Sequence, residues 1–259
     1  MKDCSRSVAS IVKDDKFNLN RCWKNDLERE QMKDIPYISD VGSLMYAQVC
    51  TRPDVSCVVL MLGRYQSNPG LEHWRDAKKV LRYLQGKKDY MLMYKWSDDL
   101  EVIGYSYSDF VGCVNSRKSN LGYIYMLAGG AISWRSAKQT LVTTSTMEDE
   151  FASCFEATSH GVWLKISISG HRIVEFISKP LRLYCDNSVV VFMARNDKSE
   201  SGSKHIDIKY LAIRERMKDK KVVIEHVITE VMLVDPLNKG MSPQKFKDHV
   251  VTIGLSPTM

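Results

Sequence analysis

At Tyr90 the apolar period of the sequence changes, and that change limits the fold more than any other feature. Before it, apolar residues recur at helical spacing. Val41, Leu44, Met45 and Val49 form one stripe, which breaks at Thr51-Arg52-Pro53-Asp54, where Pro53 suits the first turn of a new helix. That second helix is predicted over 55–65 and stops at Asn68-Pro69-Gly70. A third is predicted over 72–86, with Trp74, Ala77, Leu81 and Leu84 inward and Lys78, Lys79 and Arg82 between them. After Tyr90 the spacing is that of strands, predicted at 90–95, 101–108, 122–128 and 130–135, the last two joined by a tight turn at Ala128-Gly129-Gly130. A helix over 147–165, a strand over 181–185, helices over 187–195 and 205–219, and a strand over 221–227 complete the order β-β-β-α-β-α-α-β. Antiparallel strands followed by α/β crossovers imply an α/β fold, one mixed sheet flanked by helices and preceded by a small helical unit.

Composition narrows the setting. With 44% hydrophobic and 26% charged residues over 259 positions, the chain reads as a soluble globular protein. Its net charge of +6 is compatible with a nucleic-acid partner without requiring one. The seven cysteines include no C-x-x-C pair and are odd in number, which argues against a zinc site or a disulfide framework and for reduced thiols in a cytosolic or nuclear setting. Apolar runs such as Val58 to Leu62 are too short to cross a membrane, and the charged N-terminus has no signal-peptide core. Residues 1–35 are polar and read as a linker or a poorly ordered segment.

Acids fall at element edges in the second half. Ser145 and Glu148 have the spacing of a capping box. On the helix that follows, the buried stripe is predicted as Met147, Phe151, Cys154, Phe155, Thr158 and Val162. Asp149 is then expected to face solvent, and Glu150 to lie beside Cys154 at the border of the buried face. Taken alone, Glu150 reads as an ordinary surface acid. Asp186 ends the strand Leu181-Arg182-Leu183-Tyr184-Cys185, where α/β sheets place their sites, but it or Asn187 could be a helix cap. Asp235 precedes Pro236 and has the same two readings. Three or four carboxylates converging on one point suit hard divalent cations, which activate water and stabilise the leaving oxygen in phosphodiester cleavage.

Taken in order, the motifs Val41-Gly42-Ser43-Leu44-Met45-Tyr46, Thr51-Arg52-Pro53-Asp54, Leu81-Arg82-Tyr83-Leu84, Ile132-Ser133-Trp134-Arg135, Tyr184-Cys185-Asp186-Asn187, Lys204-His205-Ile206-Asp207 and Asp235-Pro236-Leu237 cover nearly the whole chain. In these residues the sequence resembles the C-terminal part of the Pol polyprotein of plant copia-type LTR retrotransposons. The resemblance implies the end of a reverse-transcriptase region over 36–95, a ribonuclease H-like domain with a five-stranded mixed sheet over 100–240, and a tail over 241–259. It implies an endonuclease that cuts the RNA strand of RNA–DNA hybrids with Mg²⁺, or Mn²⁺, at a two-metal site. Glu150, Asp186 and Asp235 would be metal ligands, and His205 would sit near the active centre. The upstream reverse transcriptase would be a partner, and the setting cytoplasmic or nuclear, inside a virus-like particle for an active element. Met1 is expected to match an internal methionine of a longer polyprotein.

The first ligand breaks the pattern. The family expects Gly-Tyr-Ser-Asp-x-Asp-Phe, and this chain has Gly104-Tyr105-Ser106-Tyr107-Ser108-Asp109-Phe110. Tyr107 holds the ligand position. Asp109 is a poor substitute, because residues i and i+2 lie about 6.6 Å apart along a strand, while metal–oxygen bonds need about 2.1 Å. Metal binding and hydrolysis are therefore expected to be impaired, and the alternative is a non-catalytic remnant that binds nucleic acid or connects to the polymerase. Asp149 between the two acids and Asn238 before Lys239 are further departures. No Tyr-x-Asp-Asp is present, so no DNA synthesis is expected. Between 202 and 221, seven Lys/Arg face three acids, a balance that suits either a solvated helix or contact with a hybrid backbone. The expected contact residues are Arg117, Lys118, Arg135, Lys138, Lys204, Lys209, Arg214 and Lys218.

Overall fold

The computed structural model describes residues 7, 9–11, 15, 17–96, 100–113, 118–139, 145–170, 179–196 and 204–258, with the side chains of 110–113 and 204–207 left out. The helical unit comprises α1 (Asp26–Lys33), α2 (Tyr37–Cys50), α3 (Ser56–Gly63) and α4 (Leu71–Gly86). The strand β1 (Tyr90–Leu92) leads out of it. Then follow β2 (Ile103–Cys113), β3 (Lys118–Leu127), β4 (Gly130–Lys138), α5 (Thr146–Gly170), β5 (Leu181–Cys185), α6 (Ser188–Arg195), α7 (Lys204–Lys218) and β6 (Val222–His226). The chain closes with α8 (Asp235–Asn238), α9 (Pro243–Thr252) and β7 (Leu255–Pro257).

β2 to β6 form a five-stranded sheet in the order β4-β3-β2-β5-β6. β2, β3 and β4 are antiparallel neighbours, while β5 runs parallel to β2 and β6 parallel to β5. This is the ribonuclease H-like arrangement the sequence implies: a meander first, then crossovers through helices. The hairpin between β3 and β4 turns on Ala128 and Gly129, with φ of 54° and 77°. Positive φ at both central residues gives the turn a twist that matches its strands.

Two cores sandwich the sheet. One face carries α5, α6 and α7, whose Phe151, Cys154, Val190, Ala194 and Ile213 pack with Leu181, Leu183 and Ile224 of β5 and β6. The other face meets the helical unit: Tyr37, Val41, Leu44, Val58, Leu62, Val80 and Tyr83 share a cluster with Ile124, Met126 and Leu237. Phe246, Val250, Ile253 and Leu255 from α9 and β7 and the turn between them belong to that same cluster. β7 pairs antiparallel with β1, Tyr90 opposite Pro257 and Leu92 opposite Leu255. Polar contacts tie the seam as well: Trp134 Nε1 donates to the Gln48 carbonyl at 2.9 Å and Arg64 Nη2 to Asn120 Oδ1 at 2.6 Å. This double cover explains why β3 is buried along both faces from Ser119 to Met126.

Within residues 1–35, α1 is a polar helix held at its start by Asn25, which accepts from the Glu28 amide at 2.9 Å, while Glu28 accepts from the Lys24 amide at 2.7 Å. Among the described residues no helix is long and apolar enough to cross a membrane.

His73 of α4 is fully buried, accepts from the Gly70 amide at 3.1 Å and stacks on Tyr65 with ring centroids 4.1 Å apart. Burial, with the Arg21 charge, lowers its pKa to about 4. The folded protein therefore holds it neutral while the unfolded chain protonates it below about pH 6.5. Its contribution to stability is complete above that value and is lost as pH falls toward 4, at no more than roughly 1.4 kcal/mol per pH unit. The His73 ring resonances in an NMR titration are expected to stay those of the neutral imidazole at pH 5. A midpoint near 6.5 would contradict this account.

Candidate metal centre and nucleic-acid face

The site is built at the carboxyl ends of β2 and β5, where the strand order switches direction. Ser145 Oγ accepts from the Glu148 amide at 3.2 Å and starts α5. One turn in, Glu150 is 6% exposed and accepts from the Ser108 amide of β2 at 2.9 Å through Oε1, while its Oε2 has no partner. β5 delivers Cys185 and Asp186. The donor atoms of Glu150, Cys185 and Asp186 all lie within 4.8 Å of one another. Asp186 Oδ2 accepts from Thr229 Oγ1 at 3.2 Å, and the helix cap is Asn187, which accepts from the amides of Val189 and Val190. Asp186 is thus left to face the cleft that also contains Tyr107, Ser108, Asp109 and Glu150.

Asp235 is the first residue of α8 and makes no side-chain cap; it is 6% exposed, pairs with Lys239 at 2.9 Å and keeps Oδ1 unpartnered. Burial raises the pKa of Glu150 well above the usual carboxylate range, opposed by the Ser108 amide and reinforced by Asp186 and Asp149. Burial likewise raises Asp109, Asp186 and Asp235. In each of these three, as in Glu150, the Lys239 charge works the other way.

Gly104, Ser106 and Ser108 of β2 face α5 and are buried, whereas Tyr105, Tyr107 and Asp109 alternate onto the opposite face and are half-buried. Tyr107 packs on the core shared with the helical unit. Its carbonyl accepts from Ser153 Oγ at 3.0 Å and from Asn238 Nδ2 at 3.2 Å. Lys239 Nζ lies 4.5 Å from the centroid of its ring. Gly122 permits this approach of α8, since a Cβ there would collide with the side-chain amide of Asn238. Burial, then the charges of Asp109 and Asp235, push the Tyr107 phenol far above its ordinary value, so it offers no anionic oxygen at neutral pH. Asp109 lines the cleft but stands outside the group of three donors.

One expectation is overturned. Asp149 does not face solvent: it is fully buried. Ser119 Oγ donates to its carboxylate, and Gln139 Nε2 donates to its carbonyl and to Ser108 Oγ, each at 3.1 Å. Those partners come from β3 and from the residue after β4, so a helical wheel of α5 alone carries no sign of them. Lys239, Cys185 and Asn238 also border the site. Only Lys239 has a local signal, its i,i+4 spacing from Asp235.

The basic residues divide into two groups. Lys118 begins β3, and Lys138 is in register with Asn120, the partner of Asp109, so both stand at the cleft end of the sheet. Lys209, Arg214 and Lys218 lie along α7, which packs on α5; Lys209 Nζ is 5.5 Å from the Phe155 ring and Arg214 stacks on Tyr210. Arg135 pairs with Glu156 at 3.6 Å. Arg117 and the side chains of Lys204 and His205 lie outside the described residues.

No protein-family model matches the sequence. Over 234 residues, 90% of the chain, it is 36% identical to the retrovirus-related Pol polyprotein from transposon TNT 1-94 of Nicotiana tabacum, of which it spans 17%. Over 135 residues, 52% of the chain, it is 44% identical to secreted RxLR effector protein 161 of Plasmopara viticola, covering 95% of that protein. Among solved structures, LC11-RNase H1 in complex with RNA/DNA hybrid matches 54% of this chain and 96% of its own, at 15% identity and a TM-score of 0.39. The fold assignment accordingly rests on strand order and direction.

Proposed function

The chain belongs to the Pol polyproteins of plant copia-type LTR retrotransposons, and from that premise we propose that its ribonuclease H-like domain engages RNA–DNA hybrids formed in reverse transcription while its hydrolytic power is impaired at Tyr107. One observation carries the reading: a neutral phenol shares a cleft with Glu150 and Asp186, at the strand position where the family places a carboxylate. The donor set suits a single hard cation. Glu150 and Asp186 bring carboxylate oxygens together, and the orphaned Oε2 of Glu150 lacks the partner such an ion would provide. Asp235 is engaged by Lys239, and no carboxylate stands at position 107 to share a second ion. A divalent cation, Mg²⁺ or Mn²⁺, would supply Lewis acidity toward the scissile phosphate and an activated water. The chain's own residues position the cleft: Ser108 fixes Glu150, Thr229 fixes Asp186, and Ser153 and Asn238 hold the β2 backbone between them.

Binding draws on Lys118 and Lys138 beside the cleft and on the basic side chains of α7, which contact phosphates without reading sequence. The same Tyr107 favours a second reading, a non-catalytic remnant that binds nucleic acid or connects to the polymerase. Fluorescence anisotropy with an RNA–DNA hybrid separates the two from a protein without nucleic-acid function. Affinity is expected to fall about ten-fold or more between 50 and 200 mM salt, from release of several counterions. Cleavage with Mn²⁺ is expected to be slow. Binding with no cleavage at all selects the remnant, and absence of binding at 50 mM salt refutes both.

A further inference from the structure

Lys239 bridges Asp235 of α8 and the ring of Tyr107, a residue that lines the cleft of Glu150 and Asp186. Its Nζ is 2.9 Å from Asp235 Oδ2 and 4.5 Å from the Tyr107 ring centroid, and its side chain is 32% exposed, so it is partly sheltered from water. Asp235 Oδ1 and Glu150 Oε2, on residues each 6% exposed, have no hydrogen-bond partner, so the cluster is short of positive charge even with the lysine present. A tyrosine at position 107 adds to the hold on the lysine, because an aromatic face attracts an ammonium group without carrying a charge of its own.

We propose that Lys239 is the resident counter-cation of this carboxylate cluster, holding Asp235 in an internal ion pair and competing with divalent metal for the site. The physics is substitution of one positive charge for another. An ammonium tethered four residues from Asp235 is present at high effective concentration, whereas a dication must shed water and push it aside. The phenol of Tyr107 shifts that balance toward the lysine, since it supplies a surface for the ammonium and no oxygen anion for the metal. In this chain, then, loss of one ligand and retention of the lysine together leave Asp235 ion-paired without metal.

The inference rests on reading the cleft as a divalent-cation site, and its test does not use cleavage. Mn²⁺ binding to the full chain is measured by titration calorimetry or by the signal of free Mn²⁺ in EPR, for the natural protein, Lys239→Met and Lys239→Arg. Lys239→Met is expected to bind Mn²⁺ at least about ten-fold more tightly than the other two, because a repelling charge has left the site. Equal and measurable binding by all three overturns the role of Lys239 and spares the cleft. Binding by none overturns both. Should Lys239→Met fold only when Mn²⁺ is present, the metal is replacing the missing ammonium and the proposal stands. If it folds under no condition, the natural protein decides: 5 mM Mn²⁺ is expected to raise its melting temperature by less than about 2 °C, and a larger rise counts against a site already filled by its own cation.

Discussion

Tyr107→Asp is expected to raise metal-dependent cleavage of an RNA–DNA hybrid on the order of 100-fold or more over the natural protein. Lewis-acid stabilisation is worth several kcal/mol in the transition state, and each 1.4 kcal/mol or so is ten-fold in rate. The substitution puts a carboxylate at a position lining the same cleft as Asp109, Glu150 and Asp186, where the β2 backbone is fixed by Ser153 and Asn238. It also removes an aromatic ring from the core shared with the helical unit, so a cost of about 1–3 kcal/mol in stability is expected alongside the gain. Tyr107→Phe is the control that keeps the packing and adds no ligand; it is expected to stay as slow as the natural protein. Cleavage assays with Mg²⁺ and Mn²⁺ on all three give the answer. Equal activity in the natural protein and Tyr107→Asp would mean that Asp109 or a shifted strand serves as the ligand after all. Silence in both would place the defect elsewhere, with Lys239 the first suspect, since the introduced carboxylate would stand close to its ammonium.

The second large effect lies in the helical unit. Asp54→Ala is expected to destabilise the protein by about 3–5 kcal/mol, the cost of leaving a buried charge without its partner. Asp54 is fully buried and receives Arg52 through both oxygens, Nε at 2.9 Å and Nη2 at 2.6 Å, with Tyr83 Oη donating to it at 2.5 Å. Arg52 also stacks on Tyr83, 5.5 Å from the ring centroid. Removing the carboxylate strands a guanidinium and a phenol in an apolar cluster. Removing the guanidinium as well, with Arg52→Met and Asp54→Leu together, is expected to cost much less than Asp54→Ala alone, since neither charge is then buried. Urea unfolding measures both. With total stability of about 5–15 kcal/mol in ordinary domains, the single substitution would leave little margin at 37 °C. If Asp54→Ala lost under about 1 kcal/mol, the pair would have to be solvated by a route these contacts do not provide.

Much of the architecture is legible in the sequence because apolar period is local information. The switch at Tyr90, the hairpin at Ala128-Gly129 and the strand Leu181–Cys185 all follow from neighbours within a few residues. Glu150 is also legible, since it sits one step from Cys154 on the helical wheel. Asp149 is not, because Ser119 and Gln139 reach it from β3 and from the residue after β4, and only tertiary packing brings them together. Helix α1 has a local signature, Asn25 three residues before Glu28, yet its polar surface gives no apolar stripe to mark it. The seam between the helical unit and the sheet is the least legible feature. Val58 and Leu62 on one side and Ile124 and Leu237 on the other each read as the core of a separate element, and their common burial depends on a contact far away in the chain.

That seam sets an order of events during synthesis. Tyr37, Val41 and Tyr83 emerge from the ribosome early, but Phe246, Val250, Ile253 and Leu255, which complete their cluster, follow long after. At translation speeds of about 5–20 residues per second, the first helices must wait on the order of ten seconds or more for the residues that cover them. β1 waits as long for β7. Throughout that interval the nascent chain presents an apolar face to its surroundings, so a premature stop codon ahead of Phe246 would leave the front of the protein open for good.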